Sequence, residues 1–255
     1  MKIASWNVNS LKVRLPQLLD WLATQQPDVV CLQETKLDDP FFPRQEIEDA
    51  GYHGVFSGQK TYNGVALLAR EQPTEIVAGN PHYPDVQKRL LAATVGGICV
   101  VCAYVPNGQA VGSDKYAYKL EWLAALTRWL AERLAANPRL VLAGDFNIAP
   151  DDRDVHDPQQ WAGQILCSPA ERAAFQSLLE LGLKDSFRLF EQPEKTFSWW
   201  DYRMLGFQKN RGLRIDHILL SEALAGRCTA AGVERALRKL ERPSDHAPVS
   251  AELAD

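Results

Sequence analysis

The stretch Leu140-Val141-Leu142-Ala143-Gly144-Asp145-Phe146-Asn147 decides how this chain folds. Its first four residues are apolar without a break, the pattern of a short strand buried on both faces, and the chain then turns at once to Gly, Asp and Asn. The pattern recurs on either side. Asp28-Val29-Val30-Cys31-Leu32 runs into Gln33-Glu34-Thr35-Lys36, and Ile98-Cys99-Val100-Val101-Cys102 runs into Ala103-Tyr104-Val105-Pro106-Asn107. Gly64-Val65-Ala66-Leu67-Leu68 and Ile215-Asp216-His217-Ile218-Leu219-Leu220 read as further strands, while Trp6-Asn7-Val8-Asn9 and Ser244-Asp245-His246 repeat the switch from apolar to polar. Strand ends on a rigid sheet are where sites are built, because the scaffold holds the side chains in place before a ligand arrives.

Helical periods lie between the strands. Leu11, Leu15, Leu18, Leu19 and Leu22 share a face, and because proline is tolerated only in a first turn, Pro16 predicts a start near Leu15. A longer helix is expected from about Lys115 to Ala136, stopped by Asn137-Pro138. A third begins at Ser168-Pro169, with Ser168 as N-cap and Glu171 completing a capping box. Strands mixed with helices imply a layered α/β or α+β fold, and two sheets packed on each other with helices outside satisfy the same pattern.

The 255 residues are 46% hydrophobic and 24% charged, which excludes disordered, collagen-like and low-complexity classes. With no linker and no repeat, a single domain over 1–255 is expected. The net charge is -4, with 11 basic against 13 acidic residues through Thr127 and 17 against 19 after it. A nucleic-acid function therefore needs a local basic face. Five scattered cysteines suit a reducing compartment, and no signal-like start or membrane-length apolar run is present, so the cytoplasm is expected. Cys99 and Cys102 have metal-site spacing, but i and i+3 on a strand point to opposite faces, so both are assigned to core packing.

The strand ends together carry three Asp, one Glu, two His, one Tyr and several Asn, with no thiolate. Hard oxygen donors favour Mg²⁺, with Mn²⁺ as a substitute, over Zn²⁺, and Mg²⁺ commonly completes its shell with substrate phosphate. An Asp to orient or deprotonate water, an Asp–His unit facing phosphate, and Tyr or Asn donors fit phosphodiester hydrolysis. Singly, each strand-end Asp or Asn also reads as a turn former, and Tyr104 as a core aromatic.

In order along the chain, Asn7-Val8-Asn9-Ser10-Leu11, Leu32-Gln33-Glu34-Thr35-Lys36, Gly64-Val65-Ala66, Gly144-Asp145-Phe146-Asn147-Ile148, Arg211-Gly212-Leu213-Arg214-Ile215-Asp216 and Ser244-Asp245-His246-Ala247-Pro248-Val249 resemble the exonuclease III family of apurinic/apyrimidinic endonucleases. That family lies within the endonuclease/exonuclease/phosphatase superfamily. The resemblance implies a deoxyribonuclease I-like, four-layered sandwich of two mixed β-sheets with helices outside. It implies Mg²⁺ held by Glu34 with Asn7 nearby, and Asp245 reaching the metal directly or through water. By the same resemblance Asp145 activates or orients water or protonates the leaving oxygen, Asn147 holds the nucleophile, His246 contacts the phosphate and Asp216 fixes His246. Tyr104 would donate to a phosphate oxygen, with Asn107 on the backbone beside it and Asn9 and Lys36 close to the DNA. Trp199, Leu213 and Ile215 would line a pocket for a base-less sugar, and Arg203 would enter the DNA groove, with Arg211 in the same basic stretch.

From Lys195 to Arg214 five basic residues face one acid, the local positive surface that the overall charge lacks. Asp151 to Pro158 is expected to be a surface loop near the DNA, and His156 within it is given no role. The expected activity is Mg²⁺-dependent cleavage 5′ to abasic sites in duplex DNA, with 3′-5′ exonuclease and removal of blocked 3′ ends, by a monomer without membrane or obligate protein partner. The alternatives are a 3′-end-processing exonuclease with little abasic-site activity, a superfamily phosphatase on non-DNA phosphoesters, and a non-catalytic binding module.

Overall fold

The computed structural model describes residues 1–254. In chain order the first half contains β1 (Lys2–Asn7), α1 (Leu11–Gln25), β2 (Val29–Gln33), α2 (Arg44–Asp49), β3 (His53–Ser57), β4 (Val65–Ala69), β5 (Thr74–Ala78), β6 (Leu90–Val95), β7 (Ile98–Tyr104) and α3 (Asp114–Ala136). The second contains β8 (Leu140–Asp145), α4 (Pro158–Trp161), α5 (Pro169–Glu180), β9 (Leu183–Asp185), β10 (Trp199–Trp200), β11 (Gly212–Leu213), β12 (Asp216–Ser221), α6 (Glu222–Ala225), β13 (Cys228–Val233) and β14 (Val249–Leu253).

Two six-stranded sheets form, ordered β13-β14-β1-β2-β4-β3 and β5-β6-β7-β8-β12-β9, and β10 pairs with β11 in a separate ribbon. Each large sheet has one parallel pair, β1 with β2 and β7 with β8, and antiparallel neighbours elsewhere. The expected sandwich of two mixed sheets is thus what the chain adopts. Val29, Cys31, Leu67, Val100, Cys102, Val141 and Ile218 fill the space between the sheets. The alternate residues Cys99, Val101, Leu140 and Leu142 turn outward against Trp122, Leu126, Leu130 and Phe175 of α3 and α5. On the other sheet Ala4, Trp6, Val30 and Leu32 meet Leu11, Leu18 and Leu22 of α1. Every central strand is buried on both faces, which is why its sequence is apolar without alternation. Cys99 and Cys102 fall in different cores, as their spacing requires.

The capping box at Ser168 and Glu171 forms as expected. The first helix does not begin near Leu15. It begins at Leu11 and carries Pro16 in its interior. A proline there forgoes one helical hydrogen bond at a cost of roughly 3 kcal/mol in an isolated helix. Here the first turn is fixed from outside, since the Ser10 and Leu11 amides donate to the carbonyls of Glu34 and Thr35 at 2.8 and 3.0 Å, and Leu11 is fully buried. No helix among the described residues is long and apolar enough to cross a membrane.

Candidate active site

The two parallel pairs explain why distant carboxylates meet. β1 and β2 run in the same direction, so Asn7 and the residue after Gln33, which is Glu34, leave their sheet at one edge. β7 and β8 do the same for Tyr104 and Asp145 in the other sheet. β12 is antiparallel to β8, with Asp216 opposite Asp145, and β14 is antiparallel to β1, so the segment leading into it delivers His246 to the same mouth. Gly144 is dictated by the sheet. A Cβ there would lie 1.8 Å from the Ala103 carbonyl oxygen, too close for any other residue.

A continuous polar network closes the mouth. Asn7 Nδ2 donates to Glu34 Oε1 at 2.8 Å and to Asp145 Oδ2 at 2.9 Å. His246 Nε2 lies 3.8 Å from Asp145 Oδ2, and its Nδ1 donates to Asp216 Oδ2 at 2.9 Å. The Asn147 amide donates to Asp145 Oδ1 at 2.9 Å, and Asn107 Nδ2 donates to Asn147 Oδ1 at 3.0 Å. Lys36 pairs with Glu34 at 2.8 Å and donates to Asn9 Oδ1 at 2.6 Å. Asn9 donates in turn to Asp245 Oδ1 at 2.9 Å, and Trp199 Nε1 donates to Asp245 Oδ2 at 3.0 Å. Glu34, Lys36, Asn9 and Asn147 have φ values of 53, 55, 44 and 49°. Left-handed backbone at such residues costs on the order of 1 kcal/mol each and persists only where the surroundings enforce it. For Glu34 the enforcement comes from its own carbonyl, which caps the start of α1, and from the flanking Thr35 and Lys36 amides, bonded to Gly64 and Asn63.

Burial tunes the charges. Asp145 is pushed up to about 7, first by desolvation and then by Asp216, against the opposing pull of His246. Desolvation would lower His246, but Asp216 and Asp145 overcome it and raise the imidazole to about 10. Burial also works against ionised Glu34, which Lys36 and Asn7 nevertheless hold below the ordinary glutamate range. Asp245 is likewise low, since His246, Trp199 and Asn9 outweigh its burial. Tyr104 is raised well above the usual phenol by burial and then by Glu34 and Asp145, so it keeps its proton.

One ligand atom each from Glu34, Asp145 and His246 lies within 4.8 Å of the others. An imidazolium has no free lone pair, so with His246 charged the donors left to a cation are hard carboxylate oxygens, a set that suits a hard divalent ion. Asp245 stands apart from that trio, with its two oxygens accepting from Asn9 and Trp199.

The remaining expected site residues divide into two groups. Arg203 and Arg211 sit on the exposed 201–211 loop, outside the network. Leu213 and Ile215, expected to line a pocket, are 0% and 1% exposed and pack with Val155 and Leu166 beneath Trp199, so the surface there belongs to the indole. Arg214 is no part of a basic face. It is buried, with Nε 2.7 Å from Asp154 and a terminal nitrogen 2.8 Å from Asp185. The 151–158 segment is correspondingly less of a surface loop than expected, since Asp154 is 1% exposed and Val155 bridges to Leu213.

Three further participants are not among the expected site residues. Ser198 accepts from the Ile215 and Asp216 amides and donates to Asp216 Oδ2 at 2.6 Å. Arg89 stacks 4.6 Å from the Tyr104 ring centroid. Ser244 donates to the Asn7 carbonyl at 2.6 Å, which ties the segment bearing His246 to β1. Only Ser244 stood in a motif string, beside Asp245 and His246, and no local signal marks the other two.

Residues 4–246 match the Endonuclease/Exonuclease/phosphatase family. Exodeoxyribonuclease III of Haemophilus influenzae is 42% identical, over 99% of each chain. A solved structure of a Neisseria 3′ phosphatase, NExo, bound to product DNA hairpin superposes with a TM-score of 0.98 at 49% identity over the whole of both chains. An AP endonuclease from Archaeoglobus fulgidus gives 0.96 at 37% identity, again over both complete chains.

Proposed function

Because this chain belongs to the endonuclease/exonuclease/phosphatase family, we propose that it is a DNA-repair phosphodiesterase. It hydrolyses the DNA backbone 5′ to abasic sites and also acts on 3′ ends as exonuclease and end-cleaning phosphatase. The observation that carries this reading is the unbroken chain of contacts from Asp216 through His246, Asp145 and Asn7 to Glu34, assembled at one mouth from both sheets. We take residues 1–255 to act as one catalytic unit.

Glu34 and Asp145 would hold Mg²⁺, or Mn²⁺ in its place, with Asn7 setting the spacing of the two carboxylates. When bound, the ion neutralises charge that builds up on the phosphate. The protein's own groups do the rest. His246, cationic near neutral pH, presents Nε2 to a phosphate oxygen while Asp216 fixes its tautomer and orientation. Asp145 orients the attacking water as a carboxylate, and the Asn147 amide holds that carboxylate from the backbone. Tyr104 keeps its proton and donates to phosphate oxygen. Trp199 offers the apolar face for a base-less sugar, where flipping is cheapest because the base is already gone. Arg203, Arg211 and Lys209 meet the backbone of duplex DNA, largely without regard to sequence.

A second reading, 3′-end processing with little abasic incision, is supported by the 49% identity with the Neisseria 3′ phosphatase. Initial rates on an abasic duplex, a 3′-phosphate and a recessed 3′ end, measured side by side with Mg²⁺ and with chelator, decide between the two. Strong chelator-sensitive abasic incision is the expected result. Cleavage that survives undiminished in Glu34→Ala or His246→Ala would remove the mechanism.

A further inference from the structure

The side of the Asp145–Asn147 loop that faces away from the mouth is held by three side chains that take no part in the chemistry above. Lys119 Nζ of α3 donates to the Asn147 carbonyl at 2.6 Å, His217 Nε2 of β12 to the Ile148 carbonyl at 2.9 Å, and Arg172 Nε of α5 to the Ala149 carbonyl at 3.1 Å. Three consecutive carbonyls are thus each capped from a different element. Lys119 does more than cap one of them. It also donates to the Asn107 carbonyl at 3.2 Å and to Glu171 Oε1 at 2.5 Å, so each of the three ammonium hydrogens has an acceptor.

The Lys119 and Glu171 side chains are fully buried. As a source of stability such a pair is poor, because apolar residues of similar volume do as well or better once desolvation is counted. Apolar residues cannot, however, fix two carbonyls from separate loops to a single point. The chain also makes room for this lysine: at Gly108, where φ is 89°, a Cβ would press on Lys119 Cδ at 3.1 Å and Ile165 Cδ1 at 3.0 Å. The two carbonyls belong to residues whose side chains lead to the candidate reacting carboxylate. Asn107 Nδ2 donates to Asn147 Oδ1 at 3.0 Å, and Asn147 Nδ2 donates to the Val105 carbonyl at 3.1 Å and reaches Asp145 Oδ2 at 3.3 Å. With φ at 49°, Asn147 needs an external hold to keep that aim.

We propose that Lys119 is a positioning residue for hydrolysis, a tie point that registers the Asn107 and Asn147 loops on each other and thereby aims Asn147 at Asp145. The proposal rests on the reading of Asp145 and Asn147 as groups at the reacting centre. Lys119→Met alone strands a buried carboxylate, so the test is the double variant Lys119→Met/Glu171→Gln, in which the new amide at position 171 still caps the start of α5. The full-length double variant, assayed on abasic duplex, is expected to lose roughly 10- to 100-fold in kcat per folded molecule with KM held within about threefold. Its thermal midpoint should lie nearer that of the wild type than that of Glu171→Gln alone, which strands the buried Lys119 ammonium. In ¹H–¹⁵N spectra the Asn147 side-chain amide signals should shift and exchange faster with solvent.

Wild-type kcat in the double variant, or unmoved Asn147 amide signals, would overturn the proposal. So would a loss of activity equal to the loss of folded protein, since that marks Lys119 as structural only. Asp145→Asn, measured in parallel, separates the two levels. If that variant stays active, the reading of the site fails. If it is inactive while the double variant turns over normally, only the tie point fails.

Discussion

Two buried histidines, His246 at the mouth and His217 one layer deeper, differ in charge for reasons visible in their neighbours. His246 faces carboxylates on both sides, Asp216 and Asp145, and is raised to about 10. His217 is lowered to about 4, first by burial and then by Arg214, whose guanidinium lies 3.0 Å from Nδ1. Because Arg214 can only donate, Nδ1 must accept, which leaves the His217 proton on Nε2 for the Ile148 carbonyl. Asp216 and His217 are adjacent on β12 and point to opposite faces, so one strand sends a carboxylate to make an imidazolium and a neutral imidazole to brace the backbone. Burial alone therefore says nothing about whether a histidine is charged. The sign of the nearest partner decides.

The contrast can be tested from its strongest consequence to its weakest. His246→Ala or Asp145→Asn should lower kcat on abasic duplex by about 10³-fold or more while the fold survives, as seen by comparing turnover with circular dichroism. In the deeper network, Arg214→Met leaves Asp185 buried without its cation and Asp154 with Arg188 alone. It should destabilise the protein by about 3–5 kcal/mol in urea unfolding, so that loss of activity follows loss of structure.

A pH series sharpens the contrast between the two rings. His217 has a folded-state pKa below its unfolded value of 6.5, so the unfolded chain takes up protons first, and stability present above pH 6.5 is lost as pH falls toward 4. Wild type should lose up to about 3 kcal/mol more over that window than His217→Gln. His246 has the opposite sign: its contribution is whole below 6.5 and is lost as pH rises through about 10. Asp216→Asn should pull that alkaline limit of kcat to lower pH and cost roughly 10²-fold at neutrality. The smallest effect concerns DNA alone. Arg203→Ala should reduce the slope of log affinity against log salt by about one without altering kcat.

The central strands and their layers were legible because doubly buried strands must be apolar throughout, and the Ser168 cap because its hydrogen bonds are local. Helix α1 was misplaced for the opposite reason. Its start is set by the carbonyls of Glu34 and Thr35, which lie beyond the helix in the next strand's exit, and no local rule about Pro16 includes them. Arg214 was counted with the DNA-facing cations because a charge in a basic stretch looks like surface until Asp154 and Asp185 arrive from other elements. Ser198 and Lys119 escaped notice because serine and lysine are common on surfaces, and only their burial beside Asp216 and Glu171 gives them meaning.

The sequence by itself determined which residues could carry the chemistry and that they stood at strand ends, since apolar runs and polar switches are written along the chain. Only the tertiary structure decided their protonation, the closeness of Glu34 to His246, and the choice of which cations face solvent and which are locked inside. Those properties depend on distances between segments far apart in the sequence and on water excluded by packing, and neither is encoded in any single stretch.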